Sequence, residues 1–263
     1  MGRTIAIANQ KGGVGKTTTA INLSACLAEA GQRVLVIDID PQGNTTSGFG
    51  LSKDGSNNTV YEVILQECNI RDAIIENVVD NLDIITSNVN LAGAEIDLID
   101  IDNREYSLKS AITEVRDQYD YIILDCPPSL SMLTVNAMTA ADTVLVPIQC
   151  EYYALEGLTQ LIHTINLVKK KLNPELELEG VVFTMYDSRT NLSLQVVENV
   201  KDNLQENIYK TIIPRNIRLA EAPSHQKDIF SYEPTSTGAR DYESLVNEII
   251  KTKKGRSPVF RLK

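Results

Sequence analysis

The stretch Lys11-Gly12-Gly13-Val14-Gly15-Lys16-Thr17-Thr18 stands directly behind the apolar run Ile5-Ala6-Ile7-Ala8, and no other part of the chain constrains its fold as tightly. The apolar run reads as a buried strand, and the sequence behind the glycines reads as a helix over 16–30. Strand, glycine-rich loop and helix in that order form an anion cradle. Glycines let successive backbone N–H groups turn inward, and the helix N-terminus adds partial positive charge. Lys16 reaches the β- and γ-phosphates of a nucleotide held there, and the Thr17 hydroxyl is placed to ligate Mg²⁺. The expected phosphate-binding residues are Lys11, Gly12, Gly13, Val14, Gly15, Lys16, Thr17 and Thr18.

The loop departs from the ordinary form G-x-x-x-x-G-K-[ST], which places Gly where this chain has Gln10. A second lysine, Lys11, stands at the mouth, giving the deviant form K-G-G-x-G-K-[ST]. A tight strand–helix turn with incidental lysines is the alternative, and it leaves the match at every specified position unexplained.

With 263 residues, 43% of them hydrophobic, the chain can bury a large α/β core. No run of about 18 apolar residues is present, which excludes a transmembrane helix in the sequence reading. The chain enters its first strand within a few residues, so no signal peptide is expected and a cytoplasmic protein is. Cys26, Cys68, Cys126 and Cys150 are widely spaced without a C-x-x-C pair, and His163 and His225 suggest no metal site. The net charge of −10 is uneven: residues 51–120 hold 15 acids and 5 bases, whereas 181–263 hold 13 bases and 10 acids. The total argues against general nucleic-acid affinity, yet the last third can carry a basic face; a merely solvated surface is the alternative.

Short apolar runs predict strands over 4–8, 34–37, 82–86, 121–124, 143–147, 180–184 and 209–213. Amphipathic stretches predict helices over 16–30, 60–66, 91–98, 107–117, 132–140, 155–172, 192–207 and 239–252. Strand–helix alternation implies an α/β fold, a mainly parallel twisted sheet with helices on both faces, in one domain over 1–252 with a basic, flexible tail over 253–263. Ligands of such sheets gather at the carboxyl ends of the strands.

Two further acidic motifs fall at such ends. Asp38-Ile39-Asp40-Pro41-Gln42-Gly43-Asn44 closes the second strand, with two carboxylates on one face. Such acids can order Mg²⁺-bound water or the attacking water. Asp40, farther out on the loop, is the candidate for catalysis and for the metal, while Asp38 can instead serve to fix neighbouring backbone amides. Tyr121-Ile122-Ile123-Leu124-Asp125 has the form of a Walker B strand, in which Asp125 holds Mg²⁺ through water beside Thr17. Cys126-Pro127-Pro128 then fixes a rigid segment near the γ-phosphate, a candidate nucleotide-sensing switch.

With these motifs placed, the chain resembles the ParA family of deviant Walker (MinD/ParA-type) P-loop ATPases, and within it the chromosomal Soj type. Further matching segments are Pro147-Ile148-Gln149-Cys150-Glu151-Tyr152-Tyr153-Ala154-Leu155-Glu156-Gly157, Thr184-Met185-Tyr186-Asp187-Ser188-Arg189-Thr190, Ile213-Pro214-Arg215-Asn216 and Glu221-Ala222-Pro223-Ser224-His225. The resemblance implies a slow ATPase that partitions chromosomes or plasmids. Two protomers sandwich two ATP molecules, and Lys11 reaches the partner's phosphates. Physics agrees that facing triphosphates need such cations to offset their repulsion. By the same resemblance, Lys11, Lys16 and Asp40 serve catalysis, Pro214 and Asn216 lie against the adenine, and Arg189 and Arg218 contact double-stranded DNA without sequence preference. Lys201, Arg215 and Lys227 are possible helpers at that surface. A ParB-type centromere-binding partner stimulates hydrolysis and releases the nucleoid-associated dimer.

Three other readings compete. A MinD-like membrane-cycling ATPase of cell division shares the core but ends in an amphipathic helix. Here Gly255 and Pro258 interrupt a tail that carries six bases over 251–263, so no membrane partner is expected. Iron–sulfur relatives need converging cysteines, and Cys126 shows no paired partner in the sequence. A metabolic ATP-dependent enzyme needs a second catalytic constellation, and none is visible.

Overall fold

A computed structural model describes residues 2–55, 57–151, 154–204 and 207–255. Its eight strands are β1 (Arg3–Ile7), β2 (Val34–Asp38), β3 (Ile74–Val79), β4 (Leu82–Ile85), β5 (Tyr121–Asp125), β6 (Thr143–Gln149), β7 (Glu177–Tyr186) and β8 (Ile208–Pro214). They form one sheet in the order β3-β4-β2-β5-β1-β6-β7-β8. Every pair is parallel except β3 with β4. The helices are α1 (Lys16–Glu29), α2 (Asn44–Gly48), α3 (Val60–Ile64), α4 (Ala94–Asp97), α5 (Ser107–Thr113), α6 (Met132–Ala140), α7 (Ala154–Lys171), α8 (Asn191–Asn203), α9 (Ile217–Glu221), α10 (Ile229–Tyr232) and α11 (Thr237–Gly255).

Period-two side-chain alternation splits each central strand between two cores. Ile5, Ile7, Val34, Val36, Tyr121 and Ile123 pack with residues of α1 and α11 on one face. Ala6, Ala8, Leu35, Ile37, Ile122 and Leu124 pack on the other with residues of α3, α5, α6, α7 and α8. Because both faces are covered, β1, β2 and β5 are buried throughout, which explains the apolar runs Ile5–Ile7, Val34–Ile37 and Tyr121–Leu124 within them.

The seven expected strands are all present, and β3 is an addition. Its Glu76 and Asn77 are exposed and Asn77 is left-handed (φ 53°), so its polar content conceals it as an antiparallel edge strand. Three helix expectations change. The helix over 91–98 breaks into 3₁₀ turns around the short α4. Leu91, Ala94 and Leu98 keep the helical spacing that the sequence shows and face the core, but the backbone passes from 3₁₀ (Val89–Gly93) through α4 to 3₁₀ again (Leu98–Asp100), with Val89, Ile96 and Ile99 left exposed. The helix over 107–117 ends at Thr113 with Glu114 as its C-cap, and a 3₁₀ turn over Arg116–Gln118 follows. The helix over 192–207 ends at Asn203, and left-handed Asn207 (φ 66°) leads into β8. Helix α11 runs through Gly255, past the expected tail boundary at 252, while residues 256–263 and the motif residues Tyr152 and Tyr153 lie outside the described residues.

Among the described residues, no helix is long and apolar enough to cross a membrane. The acid-rich segment 51–120 supplies β3 and β4 at one edge of the sheet, and the base-richer segment from 181 onward supplies β8 at the other. Strand order therefore turns a sequence-level charge asymmetry into opposite sheet edges. Residues 8–15, 39–43 and 126–131 leave the carboxyl ends of β1, β2 and β5, three neighbours in the sheet, and so converge on one site.

Candidate nucleotide site and nucleic-acid interface

Helix α1 begins without a side-chain cap. Its N-cap residue is Gly15, left-handed at φ 88°, and its first turn contains no acid. Gly13 is also left-handed, at φ 75°. These two positions need glycine for conformation, and the uncapped helix leaves backbone N–H groups for an outside acceptor. The loop is anchored at both ends. Asn9 Nδ2 donates to Pro147 O at 2.8 Å while Asn9 Oδ1 accepts from Lys11 N at 3.0 Å. Thr184 Oγ1 donates to Val14 O at 2.8 Å.

Lys16 is buried, and its Nζ donates to Lys11 O at 3.1 Å, so the amine folds across the loop. Burial pushes its pKa down, opposed by the nearby charges of Asp125, Cys126 and Asp40. An amine so placed is desolvated and surrounded by acceptors, and an entering phosphate would replace the water it has lost.

Asp38 and Asp125 are register partners on β2 and β5, both fully buried. Thr17 Oγ1 and Thr45 Oγ1 donate to Asp125 Oδ2 at 2.9 and 2.7 Å. Asp125 Oδ1 is buried with no hydrogen-bond partner. Burial pushes the Asp125 carboxyl up to about 6 against the threonine hydrogen bonds, and nearby Asp40 adds to the rise. Burial, and then the Asp125 charge, pushes Asp38 up to about 7. Two facing carboxylates in one dry layer do not both ionise readily. Asp38 accepts from Thr46 N and Thr46 Oγ1, each at 2.8 Å, and from Asp40 N at 3.2 Å. It therefore ties the loop after β2 to the start of α2. Asp40 is buried; its Oδ1 accepts from Gln42 N at 2.9 Å, and Ser87 Oγ donates to its backbone O at 2.8 Å.

A cavity of about 150 Å³ adjoins the loop, lined by Gly15, Thr18, Thr184, Met185, Pro214 and Asn216. Ile213, Leu219, Ala220 and Tyr242 add to its mainly apolar wall, Arg215 also borders it, and the Tyr242 hydroxyl lies 3.2 Å from Thr19 Oγ1. Thus Pro214 and Asn216, far from the loop in sequence, share a cavity with its Gly15 and Thr18. An apolar slot continuous with an anion cradle suits a nucleotide base next to its phosphates. Lys11 points elsewhere. Its Nζ pairs with Glu151 Oε2 at the half-exposed mouth, outside the cavity lining.

A family model for an AAA domain matches residues 2–178. Over 249 residues the chain is 55% identical to the sporulation initiation inhibitor protein Soj of Bacillus subtilis, covering 95% of this chain and 98% of Soj. The chain belongs to the ParA/Soj family. It is also 50% identical over 262 residues to the chromosome partitioning protein ParA of Myxococcus xanthus, covering 100% of this chain and 93% of that one. Among solved structures, cobyrinic acid a,c-diamide synthase from Mycobacterium smegmatis with bound ATP analog and magnesium superposes with a TM-score of 0.86 at 37% identity, covering 99% and 100% of the two chains.

The ParA/Soj chain uses site residues that its motifs do not single out. Thr45 and Thr46 follow the second motif and bind the two buried carboxylates, one each. Two hydroxyls directly after an acid-rich strand end were the available signal. Met185, left-handed at φ 49°, lines the cavity, and no sequence signal marks a non-glycine residue for that backbone region. Arg189 follows β7 and Arg218 lies on α9 after β8; these neighbouring strands are joined at their ends by Arg215 N donating to Tyr186 O at 3.1 Å. The Arg189 and Arg218 side chains are 85% and 53% exposed.

Proposed function

We propose that this chain is an ATP-hydrolysing partition protein whose ATP-bound dimer holds DNA without sequence preference, and that a ParB-type centromere-binding partner triggers hydrolysis and release. The observation that carries the reading is the uncapped α1 N-terminus beside Asp125, opening directly into the apolar cavity. Identities of 55% and 50% to Soj and ParA, above the 37% to the diamide synthase structure, favour partition over biosynthesis. They also favour it over a MinD-like membrane cycle. The ATPase domain is assigned to residues 1–252 and the basic tail to 253–263, with a nucleoid-associated protein in the cytoplasm as the consequence.

In this reading the backbone of Gly12, Gly13, Val14 and Gly15, with Lys16, Thr17 and Thr18, binds the phosphates, and Pro214 and Asn216 flank the base. Thr17 and Asp125 hold Mg²⁺, with Asp40 ordering its water. The fit is supported by Asp125 Oδ1, a buried acceptor lacking a partner beside a hydroxyl-bound Oδ2. Mg²⁺, when bound, supplies positive charge to the phosphate oxygens. Lys16 would add a second positive charge at the phosphates, and Asp40 would orient the attacking water. Lys11 leaves Glu151 to reach the partner protomer's phosphates. Their side chains are 38% and 43% exposed, so their pairing is weak and its exchange inexpensive. Arg189 and Arg218 face DNA from both protomers, so phosphate contacts supply affinity without sequence information.

The test is co-sedimentation of the full chain with duplex DNA in Mg·ATP, Mg·ADP and no nucleotide at two salt concentrations. Retention confined to ATP and weakened by salt is expected. Equal retention in all three states would refute the nucleotide-gated reading.

A further inference from the structure

Neither arginine assigned to DNA is a free cation. Arg189 Nε and Nη2 donate to Asp187 Oδ1 and Oδ2 at 2.9 and 2.8 Å, a bidentate fork, and Arg189 N adds a third bond to Oδ1 at 3.0 Å. Arg218 Nη1 donates to Glu221 Oε2 at 2.8 Å, and the same oxygen accepts from the Tyr232 hydroxyl at 3.2 Å. A carboxylate offers a guanidinium the same planar pair of charged acceptors that a phosphodiester does. Both pairs stand open to water, where such contacts contribute little to folding. What they occupy is the Nε/Nη2 fork of Arg189 and the Nη1 group of Arg218, donors that a phosphate would otherwise share.

We infer that Asp187 and Glu221 are built-in competitors for the DNA backbone, holding the donor groups of Arg189 and Arg218 and thereby setting how tightly the surface grips DNA. The inference rests on the DNA-binding reading above and names the regulation of that same surface. A phosphate displaces each carboxylate without removing its charge, which stays a few ångströms away and repels the newcomer. Each protomer then gains less than its arginine count suggests, and a dimer carries the deduction twice. Such a surface holds DNA weakly enough to let go when the nucleotide state changes. Asp187 is the stronger case. Its Arg189 hydrogen bonds hold its carboxyl below the usual range, and Arg215 adds a further favourable charge. Its backbone O also accepts from Thr190 N and Thr190 Oγ1 at 3.1 Å, so the turn itself does not depend on the carboxylate charge.

The experiment measures binding of the full chain in Mg·ATP to duplexes of unrelated sequence by fluorescence anisotropy between low and moderate salt. Asp187→Asn and Glu221→Gln keep an acceptor for the local bonds while removing the charge. Each is expected to raise affinity about three- to tenfold and to steepen the log–log salt slope by about one for each carboxylate neutralised. Glu175→Gln controls for net charge, since Glu175 is exposed just before β7, at the opposite end of the strand from Asp187. Wild-type affinity and slope in Asp187→Asn and Glu221→Gln, while Arg189→Ala loses DNA, would overturn the inference and leave the DNA surface standing. An equal gain in Glu175→Gln would overturn it as a general charge effect. Full retention by Arg189→Ala and Arg218→Ala would remove the DNA reading of this surface and the inference with it.

Discussion

Asp125→Asn is expected to stabilise the nucleotide-free protein while destroying its response to Mg·ATP. In the native fold the Asp125 carboxyl is pushed from its ordinary 3.8 up to about 6, chiefly by burial. The charged form is therefore disfavoured by about two powers of ten, or roughly 3 kcal/mol at alkaline pH. Thr17 and Thr45 both donate to the single oxygen Oδ2, so an amide oxygen at that place can still accept from them. The preference of those hydroxyls for a charge is already contained in the shift; the new cost is the amide N–H₂ at the unpartnered place of Oδ1, about 1 kcal/mol of that sum. A net gain of about 2 kcal/mol remains, roughly 4–8 °C in Tm for a chain of this size.

The pH dependence follows from the direction of the shift. A carboxyl whose native pKa is raised contributes stability that is fully present below its unfolded value and is lost as pH rises through the native one. In EDTA, wild-type stability should thus decline between about pH 4 and pH 7 through the Asp38–Asp125 pair, and Asp125→Asn should decline less. Mg·ATP at 100 times its Kd would add about 2.7 kcal/mol to the wild type and little to the variant, so the order of stability inverts. Urea unfolding across pH 4–8, with EDTA or Mg·ATP, measures both effects. If the variant is the less stable protein at pH 8 in EDTA, the buried carboxylate is not the burden argued here.

Three other outcomes test the site and its frame. Lys16→Ala should lower ATP affinity at least about 100-fold, because a desolvated amine makes charge-assisted bonds to phosphate; calorimetric titration with Mg·ATP checks it. Asp40→Ala should bind ATP, turn over slowly and accumulate as a long-lived dimer in sedimentation, and rapid turnover would remove Asp40 from the hydrolytic step. Glu179→Ala should cost about 3–5 kcal/mol in urea unfolding, because Glu179 pairs with buried Arg3 and accepts from the Tyr209 hydroxyl, and its removal strands a guanidinium in the core.

The phosphate cradle was legible because its chemistry is local. Gly13 and Gly15 declare left-handed backbone, and a strand before them with a helix after them fixes the geometry within a short stretch. The central strands were legible for a related reason: burial on both faces gives β1, β2 and β5 the apolar runs Ile5–Ile7, Val34–Ile37 and Tyr121–Leu124. What escaped depends on contacts distant in sequence. β3 is an edge strand whose two apolar pairs, Ile74-Ile75 and Val78-Val79, are separated by exposed Glu76 and left-handed Asn77, so neither pair is long enough to read as a strand. Thr45 gains its place only because β5 pairs beside β2 and brings Asp125 to it, a neighbour 80 residues away. Pairing also explains why two Asp residues that look equivalent in Asp38-Ile39-Asp40 part company. Asp38 ends a central strand, so the adjoining strand covers it and its carboxylate must bond to Thr46 and the Asp40 amide. Asp40 stands past the last register pair, and its carboxylate accepts from Gln42 N within its own loop. The sheet therefore commits the first carboxylate to structure, and the loop leaves the second with acceptor capacity for water.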